Sequence, residues 1–287
     1  MNKKLLALYG LKWNPFSQDL PIEALSRTPQ SENFNWRIEQ GLVREGGFAL
    51  ITGDPGMGKS VALRLLAEGL KRLGEVKVGA MEHPQSNVAD FYREMGDLFD
   101  VPLKPHNRWG GFKALRERWR AHIDSTLVRP ILLIDEAQEM SPVVLSELRL
   151  LASTQFDSRT ILSVVLAGDG RLIDKLRANE LLPLGSRIRI RLVMDYATRE
   201  ELMACLRHLL STAGNPTLMT SELMETLCDH AAGNYRLLTG MASDLLAVAA
   251  QRECMKLDEK LYLEVFAASK NAPSPAPKSR RKGGQRR

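Results

Sequence analysis

The chain has 287 residues, 44% of them hydrophobic, with 40 Lys and Arg against 34 Asp and Glu. That length and apolar share suit one large packed domain or one and a half, and exclude wholesale disorder. The longest apolar runs, at 131–134 and 245–250, fall far short of the ~20 residues that cross a bilayer, so no membrane partner is expected. The start (Met1, Asn2, Lys3, Lys4, Leu5, Leu6) is interrupted by Tyr9, Lys12 and Asn14, unlike a secretory signal. Cys205, Cys228 and Cys254 are odd in number and lack any metal-ligand spacing; they read as core thiols in a reducing cytoplasm.

The net charge of +6 equals the charge of one segment, 278–287, which holds Lys278, Arg280, Arg281, Lys282, Arg286 and Arg287 and no acid. Residues 1–277 are therefore neutral. A tail of this kind suits a polyanion, nucleic acid above all, or serves as a solubilising extension.

Residues 1–45 carry weak periodicity and turn signals and read as a lead-in segment packed on the main domain. An α/β body is expected over 46–197. Residues 48–52 form a buried-strand pattern, and 61–73 an amphipathic helix with Leu63, Leu66, Leu70 and Leu73 at helical spacing. A strand at 76–81, helices at 88–99 and 112–127, and a strand at 131–134 come next. Ser141-Pro142 opens a helix. Strands at 161–167 and 188–194 complete five strands, whose alternation with helices predicts a parallel sheet covered on both faces. Helical patterns at 198–211, 221–231, 235–252 and 258–268 then predict a small all-α domain over 198–268, with a disordered basic tail at 269–287.

Gly53, Asp54, Pro55, Gly56, Met57, Gly58, Lys59 and Ser60 fit the phosphate-binding pattern GxxxxGK[ST] between a strand and a helix. The glycines let backbone N–H groups turn inward, and the helix that opens through Val61 adds its dipole. Lys59 is expected to reach the β- and γ-phosphates of ATP, and Ser60 to ligate Mg²⁺. The strand 131–134 ends in Asp135 and Glu136. Asp135 is placed to hold the metal through its water shell, and Glu136 to polarise the attacking water. A general base here implies turnover rather than binding alone.

With these two motifs placed, the chain resembles the AAA+ ATPases, nearest to the branch of the ExeA-like ATPases and the transposition ATPases of the TnsC, TniB and MuB kind. The likeness covers about residues 7–268. Tyr9-Gly10-Leu11-Lys12-Trp13-Asn14-Pro15-Phe16 is similar to the family's entry segment, and Leu132-Leu133-Ile134-Asp135-Glu136-Ala137-Gln138 to its Walker B motif. The resemblance implies a three-layer P-loop AAA+ sandwich followed by a helical lid. It also implies Asp169 at the sensor 1 position, where the family often has Gln, and a trans-acting arginine finger at Arg187, with Arg189 as the alternative. Arg236 falls at sensor 2, with Tyr235 in place of the usual proline.

A finger acting in trans implies a homo-oligomer, ring or helical filament. The resemblance further implies binding to double-stranded DNA and recruitment of a transposase or other recombination protein. Lys104, Arg108, Lys113, Arg116 and Arg120 would contact phosphates. The same stretch also reads as a solvated helix face with Trp109, Phe112, Leu115 and Trp119 as core. The alternatives are an ExeA-like secretion-assembly ATPase, which implies a membrane anchor, and a replication initiator or loader, which implies an appended winged helix. Neither addition is expected from this sequence.

Overall fold

The computed structural model describes residues 2–84, 87–103 and 107–270. Lys104 and the basic stretch 278–287 lie outside the described residues. The chain opens with α1 (Asn2–Tyr9) and a 3-10 turn (Ile22–Ala24). Next come α2 (Pro29–Arg37), a π-helical turn (Ile38–Leu42) and α3 (Val43–Glu45). The body continues with β1 (Gly47–Gly53), α4 (Lys59–Lys71), β2 (Val76–Met81), α5 (Val88–Leu98), α6 (Arg108–Thr126) and β3 (Arg129–Ile134). A 3-10 turn (Ala137–Glu139) leads to α7 (Pro142–Ala152) and a small antiparallel hairpin of β4 (Ser153–Thr154) and β5 (Arg159–Thr160). β6 (Ser163–Gly168), α8 (Gly170–Arg177), α9 (Leu182–Gly185) and β7 (Ile188–Met194) complete the α/β body. Helices α10 (Arg199–Ala213), α11 (Ser221–Ala231), α12 (Tyr235–Gln251) and α13 (Glu259–Lys270) form the lid-like helical part.

The expected five-stranded parallel sheet is present, in the order β2-β3-β6-β1-β7. The inner strands β1, β3 and β6 are buried almost end to end, which is why they read as continuous apolar runs rather than alternating ones. On the edge strand β7, Ile188, Ile190 and Leu192 are buried while Arg189 and Arg191 face solvent. Charged side chains on an edge discourage pairing with another strand. The β4–β5 hairpin has no counterpart in the sequence reading, because its two-residue strands are too short to carry a period.

Phe91, Met95, Trp119 and Leu148 cover one face of the sheet. Phe34, Ile38, Leu63, Leu66 and Leu70 cover the other. A third core inside the lid helices gathers Leu206, Leu210, Leu227 and Leu245, and takes in Leu5, Tyr9, Leu11 and Phe16. The N-terminal segment is therefore divided: α1 and the turn after it pack on the lid, whereas α2 and the π turn pack on the sheet.

Helix α6 starts at Arg108, earlier than residue 112, where the apolar period begins. Asn107 caps it, its side-chain oxygen accepting from the Gly110 N–H at 2.8 Å. Gly111 packs against Tyr92, where a Cβ would stand 2.9 Å from the ring. Leu115 and Trp119 are core residues as expected, but Trp109 is 72% exposed and stacks on Phe112 at 5.8 Å. Trp109 therefore belongs to the surface, since the turn of α6 that carries it precedes the buried face.

Several arginines of α6 are engaged within the fold. Arg108 pairs with the buried carboxylate of Glu147, which also accepts from the Tyr92 hydroxyl at 2.8 Å. Burial and that carboxylate hold the Tyr92 phenol well above its usual range. Arg120 donates to the Thr154 hydroxyl. Arg116 donates to the carbonyls of Leu150 (2.7 Å), Leu151 (3.4 Å) and Ser153. It thereby closes the C-terminal end of α7, where helical carbonyls lack partners. Replacing Arg116 with Ala is expected to lower global stability by about 2 kcal/mol, the scale of hydrogen bonds from a charged donor. Urea unfolding of the variant checks this; an unchanged midpoint would remove the bracing role.

Candidate nucleotide site

In the sheet order the ends of β3, β6 and β1 are neighbours, so the residues just after them converge at one edge. This is the carboxyl edge of a parallel sheet, where open α/β folds bind their ligands. β1 delivers the loop 54–58 into the first turn of α4. Gly58, at φ +96°, is the N-cap of that helix in the left-handed region, a backbone state that only glycine adopts cheaply. Lys59 is 6% exposed, and its ammonium donates to the carbonyls of Gly53 at 2.9 Å and Asp54 at 3.1 Å. A buried cation satisfied only by neutral carbonyls fits an anionic phosphate entering the loop.

Asp135 and Glu136 come directly after β3. The Asp135 N–H donates to Met81 O at 3.0 Å, and an Asp135 carboxylate oxygen accepts the Glu136 N–H at 2.9 Å. Glu136 stands at φ +50°, a left-handed turn that aims its side chain at the same cavity as Lys59 and Ser60. Gln138, 2% exposed, donates its side-chain amide to the Glu136 carboxylate and accepts the Asp169 N–H at 3.3 Å. The Walker B acid is thus joined through one buried amide to the end of β6.

Asp169 caps α8 by accepting the Arg171 N–H at 2.9 Å, and its carboxylate takes three guanidinium bonds from Arg171, at 3.2, 2.9 and 2.8 Å. These bonds from Arg171, with help from Lys59, hold its carboxyl below the usual carboxylate range. Arg171 also pairs with Glu139 at 3.0 Å. The negative charge of Asp169 is therefore matched by a guanidinium already in contact with it.

The cavity over the loop has a volume of about 820 Å³, within the range of ligand pockets. Besides Glu136 and Met194, three stretches of the chain wall it. The loop and α4 supply Gly56, Met57, Gly58, Lys59, Ser60 and Val61; the lid supplies Cys205, Leu209, Tyr235 and Arg236. The third wall is the stretch from Asn14 to Ser31, including Phe16, Leu20, Leu25 and Thr28. It is held down by Arg64 of α4, which donates to Leu20 O at 2.7 Å. Sequence reasoning did not mark this wall as part of the site; the only signal was the entry segment ending at Phe16.

Arg236 reaches the cavity from the second position of α12. Arg187 does not belong to this cavity. It precedes β7, whose far end, Met194, pairs with Gly53. Seven residue steps along β7 separate them, roughly 20 Å at ~3.3 Å per residue. There Arg187 pairs with Asp157 and donates to the Ser153 hydroxyl at 3.4 Å, and Asp157 is held below its usual range by Ser153 and then Arg187. Arg189 faces Glu45 at 3.4 Å.

The donor set also fits Mg²⁺. Among the described residues no cluster of three His, Cys, Asp or Glu side chains could hold a metal by itself. One hydroxyl at Ser60 and one carboxylate at Asp135 suit an ion that keeps water and phosphate oxygens in its shell. Residues 43–176 match a protein-family model described as an AAA domain. The chain is 29% identical over 253 residues to the general secretion pathway protein A of Aeromonas hydrophila, across 87% of this chain and 45% of that protein. It thus spans less than half the length of that relative.

Among solved structures, it shares its fold with Cdc6p from Pyrobaculum aerophilum (TM-score 0.69, 17% identity, 85% of this chain and 67% of that one). The Aeropyrum pernix ORC1 protein in complex with DNA is similar (TM-score 0.69, 16% identity, 89% and 68%). So is domain III of the Thermotoga maritima replication initiation protein DnaA (TM-score 0.55, 17% identity, 89% and 98%). The fold is AAA+-like, and the AAA domain at residues 43–176 supports an ATP-hydrolysing activity.

Glu136→Gln is expected to keep ATP binding and lower turnover by at least 100-fold, a scale set by loss of a general base; Lys59→Ala should lose binding itself. Titration with a labelled ATP analogue beside a phosphate-release assay separates the two, and near-parental turnover in Glu136→Gln would remove that residue from the chemistry.

Proposed function

We propose that this ATPase is an ATP-gated switch that assembles as a homo-oligomer on double-stranded DNA, in the manner of replication initiators and loaders. The observation that carries this reading is the extent of the fold likeness. It takes in 85–89% of the chain, and includes a replication initiation protein and an ORC1 protein solved in complex with DNA. Transposase recruitment is the narrower reading drawn from the resemblance to transposition ATPases. The comparisons favour the initiator or loader type over it.

In this reading Ser60 and Asp135 hold Mg²⁺, which would neutralise phosphate charge during the reaction. Lys59 and the N–H groups of the loop bind the phosphates. Glu136, held by Gln138, takes the proton of the attacking water. Arg236 meets the γ-phosphate from the lid. Arg187, roughly 20 Å from its own loop, serves the site of a neighbouring subunit, which makes the oligomer part of the mechanism.

On the DNA-facing side, Lys113 is 62% exposed and faces Glu117 at 3.8 Å, so it is more available to a phosphate than Arg108, Arg116 or Arg120, which are engaged within the fold. Lys104 and the basic tail would add to it, whereas Arg108, Arg116 and Arg120 contribute while bracing α6. No helix among the described residues is long and apolar enough to cross a membrane. Burial pushes the Cys205 thiol up to about 12 and the Cys228 thiol up to about 11; these inert core thiols support a cytoplasmic location.

A second reading, a secretion-assembly ATPase, is favoured by the identity to the Aeromonas protein. Fluorescence polarisation with a random duplex separates the two. The DNA reading expects affinity that requires ATP and falls at least about 40-fold between 50 and 200 mM salt, for about three or more phosphate contacts. Absence of ATP-dependent binding at low salt would leave the secretion reading. Arg187→Ala should lose most turnover and regain part of it when mixed with Lys59→Ala protein; turnover that stays flat across mixing ratios would exclude a trans finger.

A further inference from the structure

Between the ATPase body and the lid, two residues of the phosphate loop are held from outside. The Tyr196 hydroxyl donates to the Asp54 carboxylate at 3.0 Å, and the Asn234 side-chain amide donates to the Pro55 carbonyl at 3.0 Å. Asn234 also caps α12, its side-chain oxygen accepting the N–H groups of Arg236 at 2.9 Å and Leu237 at 3.2 Å. One carboxamide therefore joins the loop through its nitrogen and the lid helix through its oxygen.

The surroundings are shaped for this contact. Gly56 has no side chain where a Cβ would stand 2.2 Å from the Asn234 oxygen, so the lid can approach the loop only because residue 56 is glycine. Gly233, at φ +84°, packs where a Cβ would lie 2.8 Å from Tyr196 Cβ and 2.9 Å from Ala197 O. Its carbonyl accepts the Ala197 N–H at 2.9 Å. The joint between body and lid is thus fixed within a few residues of the phosphates.

We propose that Asn234 is a positioning residue: it ties the lid to the phosphate loop and so delivers Arg236, two residues on, to the γ-phosphate. The proposal rests on the reading of Arg236 as the lid's phosphate contact. A helix cap alone needs only an acceptor. Serine, aspartate and asparagine cap about equally well, but a serine ends one atom short of the Pro55 carbonyl and brings no amide. The residue type thus matters for the tie and not for the cap.

Asn234→Ser separates these roles. Its thermal midpoint should lie between those of the parent and of Asn234→Ala, which loses the cap as well as the tie. In calorimetric titrations with Mg²⁺ and either a slowly hydrolysed ATP analogue or ADP, Asn234→Ser should bind the triphosphate about fivefold more weakly, the scale of one hydrogen bond. Its ADP affinity should stay within about twofold of the parent. Arg236→Ala should show the same selective loss, and the double variant Asn234→Ser/Arg236→Ala should lose no more than Arg236→Ala alone.

Triphosphate affinity that falls in Asn234→Ala but not in Asn234→Ser would reduce the residue to a cap and overturn the proposal. Losses that multiply in the double variant would overturn the delivery of Arg236. A silent Arg236→Ala beside a weakened Asn234→Ser would instead withdraw Arg236's role from the proposed function and leave the tie to the loop standing.

Discussion

The Lys59 ammonium is buried, and a buried charge must find partners. Without them its burial would cost several kcal/mol. Its own loop supplies two carbonyls, from Gly53 and Asp54. The same geometry requires β1 to end at Gly53, the chain to turn through Gly58 in the left-handed region, and α4 to begin at Lys59 itself. The sheet that presents β1 between β6 and β7 is the frame that holds this arrangement in register. Everything else at the site is placed relative to that one cation.

The second layer is a chain of polar contacts across the strand ends. Glu136 meets Gln138, Gln138 meets the Asp169 N–H, and Asp169 is matched by Arg171, which also meets Glu139. Each member is satisfied, so the row costs little to bury and holds one arrangement. Lys175 fixes its base by donating to the carbonyls of Gln138 and Met140. A shift at the end of β6 would therefore be felt at the Glu136 carboxylate through a single buried amide.

Range along the chain decided which features were legible in the sequence. The inner strands announced themselves because burial on both faces leaves unbroken apolar runs, and the phosphate loop because its glycines and Lys59 are contiguous. The carboxylates after β3 were legible for the same reason. The wall from Asn14 to Ser31 was not, since its part in the site depends on Arg64 of α4 reaching Leu20 O, a contact no local pattern encodes. Gly233 and Asn234 lie between the helical patterns at 221–231 and 235–252, as a turn would. They form one, but the use of the Asn234 amide depends on where Pro55 lies, 179 residues away in the chain. The arginines of α6 read as a cationic surface because sequence shows charge and not partners; Arg108 and Arg116 direct theirs to Glu147 and to the end of α7.

The position of Arg187 carries a consequence for how such a molecule can switch. An arginine that precedes a strand whose other end pairs with Gly53 cannot swing to its own phosphates without unravelling that edge of the sheet. Its present partners, Asp157 and the Ser153 hydroxyl, belong to the β4–β5 hairpin, outside the cavity. In the proposed mechanism, lid and finger thus approach the nucleotide by unlike routes. Arg236 comes from within the chain, through a joint fixed at Asn234 and Gly233. Arg187 can come only from a second copy, after trading Asp157 for a neighbour's phosphate. A subunit can then bind nucleotide alone through the first route, while completion of the site waits on assembly through the second. Hydrolysis under this proposal is tied to the oligomer by the geometry of one edge strand.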